Sequence, residues 1–479
     1  MGATISSYSY PQRVYNYVMN RKRKLDESDT QDEMDKIIDI AMHTPKRKKL
    51  CSTVAYIYQA LFVEGRDSDV TVVALGEEFP LHKVYLSQSP YFASMFGGNW
   101  KETGQTRIHI DVVDPFITKE ALHTVLGALY SDEVKLEPLN IVSVLATATM
   151  LQLGGLIDRC CEVMLETINP HTALHYYEAA CQYGDLKLKE NCFQWFLVNL
   201  ITYYSSNVEE LKTIPISLME NLTNHSGLCV VKTEITLYIL LKQWMYMQLH
   251  ENPFPFDATN VVEYFSSRKG EMPLLLTELG SKYERVFRAL RMQHLISHHV
   301  DVGIMLRDNI IPRSWIESVI MHGWKYTLMV NENEVRGPEE CTDEEFLEIA
   351  LRCGRFLPIK EKNMWRWTGF HYGLDLIMIA DDRTVSIKRN HRPEYELLLS
   401  LQTIRYIIIR VTVHSLNQQK QITYTQTSGI HRLPLNKSEE IVLMTFPPDI
   451  NFPLVLSANI LFTTPFSDDW TTDSSIQSI

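Results

Sequence analysis

Leu81-His82-Lys83-Val84-Tyr85-Leu86-Ser87-Gln88-Ser89-Pro90-Tyr91-Phe92-Ala93-Ser94-Met95-Phe96 follows Ser68-Asp69-Val70-Thr71-Val72-Val73-Ala74-Leu75 by one turn. Val70, Val72 and Ala74 alternate with Thr71 and Val73, and this near-continuous apolarity predicts a strand covered on both faces. Glu77-Glu78-Phe79-Pro80-Leu81 completes a hairpin, and Tyr91 to Phe96 reads as a buried, aromatic-rich helix. Upstream, Ala55 to Phe62 carries large apolar residues at a spacing compatible with one helical face. Downstream, Arg107-Ile108-His109-Ile110-Asp111 alternates as a strand. A helix is expected over Ala121 to Tyr130, then a short strand in Ser131 to Leu136. Two further helices, Val142 to Leu153 and Leu156 to Leu165, are separated at Gly154-Gly155.

In this order, over residues 53–166, these pieces resemble a BTB/POZ domain, a dimerising adaptor with no chemistry of its own. The Ala146 to Leu153 run followed by Cys160-Cys161 matches the family's late helices. His171 to Gly184 then resembles the opening of a BACK-type helical extension, and helical patterns continue through Asn191 to Leu200, Glu234 to Leu249 and Glu284 to Ile296. Residues 300–479 show no internal period near fifty residues, so no kelch array is expected. Instead, Thr384 to Ile387, Ile404 to Val413, Gln421 to Thr425, Ile441 to Phe446 and Leu454 to Phe462 are strand-like.

The expected fold is therefore α+β and multidomain. A polar tail (1–52, disordered) precedes a BTB/POZ domain (53–166), a BACK-like helical domain (167–300), a β-rich C-terminal domain (301–465) and a disordered end (466–479). The block Trp365-Arg366-Trp367-Thr368-Gly369-Phe370 resembles the C-terminal region of the germ cell-less family. Trp100-Lys101-Glu102 and Asp308 to Trp315 carry the same resemblance, which covers nearly the whole chain from about residue 45.

Composition sets limits. The 479 residues are 45% hydrophobic and 22% charged, ordinary for a globular protein with sizeable cores. Net charge is −12; residues 1–50 hold ten Lys/Arg against seven Asp/Glu, or +3, which leaves −15 on the remainder. An acidic body lacks the basic surface that phosphate contacts need, so no nucleic acid is expected as a partner. The eight cysteines lack C-x-x-C spacing and read as reduced, buried thiols. The opening is polar and then basic, so no secretory leader is expected, and Tyr406 to Val413 is too short to span a bilayer.

Catalytic signatures are absent: there is no G-x-S-x-G, H-E-x-x-H or G-x-x-x-x-G-K-[ST]. His171 and His175 stand one helical turn apart but lack the further ligands a metal needs. Cys353, between Arg352 and Arg355, has no histidine base nearby in sequence and reads as structural. No catalytic residue, cofactor or metal is expected.

The germ cell-less resemblance implies an adaptor of the Cullin-3 ubiquitin ligase, associated with the nuclear envelope and with germ-cell formation. The competing reading is a nuclear-envelope scaffold that tethers transcription regulators without ubiquitination. By resemblance, Trp100 and Glu102 occupy the hydrophobic-x-Glu position that contacts Cullin-3, and Tyr130 a second contact position. Tryptophan is a favoured hot-spot residue, although Trp100 could fold back on its own domain and Tyr130 could be a core residue with a satisfied hydroxyl. In the BTB family the first helix packs across a homodimer, which assigns Tyr58, Leu61 and Phe62 to the interface; they would have no local core if that helix lay alone on the surface. Trp365, Trp367 and Phe370 are the candidate contacts to a protein substrate of unknown identity, although such aromatic residues are more often core than binding face.

The tail offers two addresses. Gly2, followed by Ser6, fits an N-myristoylation pattern and so a membrane surface. One such chain binds marginally, so basic residues would have to assist. Arg21, Lys22, Arg23 and Lys24, with Lys46, Arg47, Lys48 and Lys49, also read as nuclear-import signals. The expected locations are the nucleus and nuclear envelope, with the plasma membrane or cytoplasm as further sites.

Overall fold

The computed structural model describes residues 53–98, 104–131, 133–250, 256–268, 270–331, 338, 340–367, 375–381, 383–390 and 404–463. The sequence-predicted hairpin forms β1 (Val70–Ala74) and β2 (Glu77–Leu81), paired antiparallel across a two-residue turn. Leu75 and Gly76 both have positive φ (52° and 78°), as the tight turn favoured in twisted hairpins requires. β3 (Arg107–Ile110) joins β1 in parallel, giving the order β2-β1-β3. Val70, Val72 and Ala74 face the core, whereas Thr71 and Val73 are half-buried, so β1 is fully covered on one face rather than two.

Local chemistry starts the helices around this sheet. Ser89 caps the helix Pro90–Gly97, with Pro90 in the first turn, where its missing N–H costs nothing. The Ser89 hydroxyl also donates to the Leu151 carbonyl at 2.5 Å, which ties two helices together. Thr118 caps Lys119–Ala128 through the Ala121 N–H at 3.1 Å. Helices Ile141–Met150 and Gly154–Glu166 follow. The expected short strand in Ser131 to Leu136 is not a strand among the described residues. The Ser131 hydroxyl instead accepts from the Glu133 N–H at 3.2 Å, turning the chain locally.

The helices Ala173–Tyr183 and Leu186–Tyr204 meet at Gly184, whose φ of 80° closes the first of them. Asp185 then caps the second through the Leu188 N–H at 2.7 Å. One apolar core runs from Phe62 in the first helical segment through Phe92, Trp195 and Trp244 to Ile316. The helical part extends further than the patterning suggested. His299–Asp308, Arg313–Asn331 and Asp343–Ile349 are helices, and the first strand of the C-terminal part begins at Leu351, not near residue 301. Ile310, Ile311 and Ile316 belong to the helical core, which is why residues 301–316 stay with it.

The C-terminal part is an antiparallel β sandwich. One sheet has the order β10-β7-β6-β5 and the other β4-β11-β8-β9. These are β4 (Leu351–Leu357), β5 (Asn363–Trp367), β6 (Leu376–Ala380), β7 (Thr384–Arg389), β8 (Ile404–Leu416), β9 (Ile422–Asn436), β10 (Glu440–Thr445) and β11 (Leu454–Thr463). Met378, Val385 and Ile387 of one sheet meet Ile409, Val411, Leu456 and Ala458 of the other in a shared core. β4, β5 and β6 lie outside the runs expected as strands.

Candidate functional site

The BTB face is built around an aromatic cluster. Phe62, on the π-helical turn Tyr58–Val63, lies 5.3 Å from the Tyr130 ring, 4.8 Å from His123 and 5.2 Å from Tyr58. The close approach is possible because residue 127 is glycine: a Cβ there would sit 2.9 Å from the Phe62 ring. Phe62 is thus buried inside its own chain, which corrects the expectation that it lacks a local core. Tyr58 and Leu61 are half-buried, and Val54, Tyr56 and Val63 form the exposed apolar side of the same segment. Tyr56, 64% exposed on the helical turn Thr53–Ile57 that precedes the π-helical one, is a better interface candidate than Phe62. A groove of about 750 Å³ runs beside this segment, lined by Val54, Tyr58, His123, Gly127 and Lys135.

Tyr130 is also a core residue. Its ring stacks on Tyr85 at 4.3 Å, and its hydroxyl accepts the His82 backbone N–H at 2.9 Å. Burial pushes the phenol up to about 12. The His82 ring, in turn, lies 2.8 Å from the Arg66 carbonyl. Tyr130 therefore holds the His-Lys turn in place rather than presenting its ring at the surface. Trp100 and Glu102 lie outside the described residues, on the connection between the helix Pro90–Gly97 and β3; Gly2 and the basic residues Arg21 to Lys24 and Lys46 to Lys49 lie outside them as well.

The sandwich meets the helical part through a buried ionic junction that the sequence reading missed. Arg352 of β4 and Glu234, at the start of the helix Glu234–Leu249, form an ion pair with side chains 1% and 0% exposed. The Arg352 Nε donates to Glu234 Oε2 at 3.2 Å, and Nη1 donates to the Thr223 carbonyl at 2.8 Å. Glu234 also accepts the Arg291 N–H at 3.0 Å, while the Arg291 guanidinium donates to the carbonyls of Leu347 and Ala350. Beside this node, the Lys232 N–H donates to the Gly354 carbonyl at 2.9 Å. Farther along, the Trp195 indole donates to the Lys420 carbonyl at 2.8 Å, and Val198, Cys229, Leu416 and Val455 form an apolar contact between helix and sheet.

Trp365 is 8% exposed and sits in the sandwich core, with the Arg355 guanidinium 6.0 Å from its ring, so its position is structural. The side chain of Trp367 and all of Phe370 lie outside the described residues. Cys353 is buried, and its burial raises the thiol well above its ordinary value, the opposite of an activated nucleophile. His171 and His175 are both exposed, and no cluster of His, Cys, Asp and Glu suited to a metal occurs among the described residues. Nor is any helix among them long and apolar enough to cross a membrane.

The three-stranded sheet, its hairpin and the surrounding helices define a BTB-domain protein, and residues 58–168 match the BTB/POZ domain family. Over 473 aligned positions, 93% of this chain and 83% of the relative, the chain is 43% identical to "Protein germ cell-less" of Drosophila melanogaster. It is 38% identical to the human "Germ cell-less protein-like 1" over 88% of this chain and 84% of that protein. "Kelch repeat and BTB domain-containing protein 8" of Xenopus tropicalis is 26% identical over only 38% of this chain and 30% of its own. The chain belongs to the germ cell-less family.

Proposed function

We propose that this protein is a homodimeric substrate-recognition adaptor of a Cullin-3 RING ubiquitin ligase, acting in germ-cell development. The observation that carries the reading is the joining of a BTB domain to a β sandwich through one continuous helical core, closed by the buried Arg352–Glu234 pair. An adaptor has to hold a client at a fixed place relative to the ligase, and the gain is effective concentration rather than chemistry. Such a rigid connection suits that task. Trp100 and Glu102 are the proposed Cullin-3 contacts. The exposed side of the first helical segment, with Tyr58 and Leu61, is the proposed homodimer contact.

The test is a pull-down with the purified Cullin-3 N-terminal domain. Trp100→Ala combined with Glu102→Ala should abolish capture while the protein stays folded and dimeric; undiminished capture would overturn the adaptor mechanism. The location proposed is the nuclear envelope, through the basic clusters Arg21 to Lys24 and Lys46 to Lys49 with a lipid on Gly2. Mass spectrometry of the mature N-terminus tests the lipid: a free or acetylated terminus would eliminate it.

A further inference from the structure

The two edges of the sandwich sheet that faces the helices are treated differently. The β4 edge is met at Gly354, whose carbonyl accepts the Lys232 N–H in an isolated bridge. β9, the opposite edge, pairs only with β8 among the described strands. In an antiparallel pair, alternate residues turn their N–H and C=O away from the partner, so among the described residues β9 offers outward backbone groups along Tyr424–Thr427, the regular run between bulges at Thr423 and at Ser428-Gly429. Proteins usually blunt such edges with charges, proline or bulges. Here Ile422-Thr423-Tyr424-Thr425-Gln426-Thr427-Ser428-Gly429-Ile430 contains no charge and no proline, and its two bulges flank the Tyr424–Thr427 run rather than interrupt it. Thr423, Thr425 and Thr427 are exposed along it.

This uncharged stretch opens into a cleft of about 520 Å³ between the sandwich and the helical part. Its walls include Glu166, Asn191, Gln194, Trp195, His414 and Thr425. The His414 ring shares a 2.9 Å hydrogen bond with the Thr425 hydroxyl, and burial lowers its pKa to about 4, so it is neutral near pH 7. Glu166 is exposed, and its carboxylate forms neither an ion pair nor a hydrogen bond among the described residues, although its carbonyl accepts from the Gln421 amide at 2.7 Å. Amides, hydroxyls and a neutral imidazole suit a polypeptide main chain, and the single carboxylate adds a preference in charge.

We propose that the open edge of β9 and this cleft form a client-docking groove, in which an extended peptide segment adds as a strand beside Tyr424–Thr427 and places a lysine or arginine against Glu166. The main chain would supply affinity and the basic side chain specificity, as in other cases of strand addition. The inference rests on the adaptor reading for the word client, and the groove itself can be tested without it.

The probes are fluorescein-labelled ten-residue peptides of alternating threonine and valine with lysine, glutamate or proline at one central position. Anisotropy against the full chain should show the lysine peptide binding about tenfold more tightly than the glutamate peptide, the proline peptide failing to bind, and Glu166→Lys reversing the charge preference. Hydrogen exchange should show the lysine peptide protecting amides within residues 422–430. A reversed preference requires a folded groove, so unfolding cannot mimic it. Equal binding of the three peptides, no reversal with Glu166→Lys, or binding without protection of β9 would overturn the groove. Capture by the Cullin-3 N-terminal domain is measured on the same preparations. Capture without peptide binding removes the groove and leaves the adaptor reading, whereas peptide binding without capture does the reverse.

Discussion

Replacing Arg352 by leucine probes the junction that holds the sandwich to the helices. The substitution strands the Glu234 carboxylate, 0% exposed, with the Arg291 N–H at 3.0 Å as its remaining close donor. It also removes the donor to the Thr223 carbonyl at 2.8 Å and to the His225 carbonyl at 3.3 Å. Breaking a buried ion pair by deleting one partner costs about 3–5 kcal/mol, mostly because the other charge is left buried and unpaired. Removing both charges, as in Glu234→Leu with Arg352→Leu, takes away that penalty but still leaves the Thr223 carbonyl without its donor and the Arg291 N–H without its acceptor, whereas the His225 carbonyl keeps the Leu228 N–H; the remaining cost is about 1–3 kcal/mol. The double variant should therefore be more stable than Arg352→Leu alone, with a coupling of about 2 kcal/mol. Urea unfolding followed by both far-ultraviolet circular dichroism and tryptophan fluorescence measures this, and coincident transitions license the free-energy comparison. If Arg352→Leu lies within about 1 kcal/mol of the parent, or the double variant is worse than the single, the junction is not the ionic lock described.

Three further outcomes follow from particular contacts. Gly354→Ala would place a Cβ 2.3 Å from the Leu456 carbonyl oxygen and 3.0 Å from that of Val230, so it should lower stability by about 2 kcal/mol or more and loosen the same junction, read by proteolysis between helices and sandwich. Phe62→Ala should cost about 3–5 kcal/mol in urea unfolding, whereas Tyr56→Ala should leave unfolding nearly unchanged and weaken self-association in light scattering; the opposite pattern would return Phe62 to the interface. The folded state holds His414 neutral with its pKa depressed to about 4, so the unfolded chain binds more protons between that value and the ordinary one near 6.5. Stability should then fall as pH drops through this window, and His414→Gln should flatten that part of the profile.

Much of the BTB domain was legible because its signals are local. The β1–β2 hairpin is written in alternation plus a turn, and the helices start at Ser89 and Thr118, whose hydroxyls cap the chain three residues on. The late strands β8 and β11 were readable as β-branched runs. β4 was not, because Arg352, Cys353 and Gly354 look like a polar loop until the arginine finds its partner. The helices beyond residue 300 were missed for a related reason: Ile310, Ile311 and Ile316 belong to the helical core through packing against distant segments, which no periodicity reports.

The sequence alone determined the kind of protein: the order of strand, hairpin and helix, the acidic body, and the absence of a catalytic signature. Tertiary structure decided which of the conspicuous residues stay available at the surface. Phe62, Tyr130 and Trp365 look like contacts in the sequence and turn inward, since an aromatic ring gains more from burial in its own core than from water. Glu234 and Arg352, 118 positions apart, and the Trp195 indole with the Lys420 carbonyl, 225 apart, become partners only when the sandwich lies against the helices. The open edge of β9 and the cleft beside Glu166 exist for the same reason. Alternation, turns and caps act between near neighbours in the chain, whereas buried charge pairs and grooves are properties of surfaces that meet only after folding.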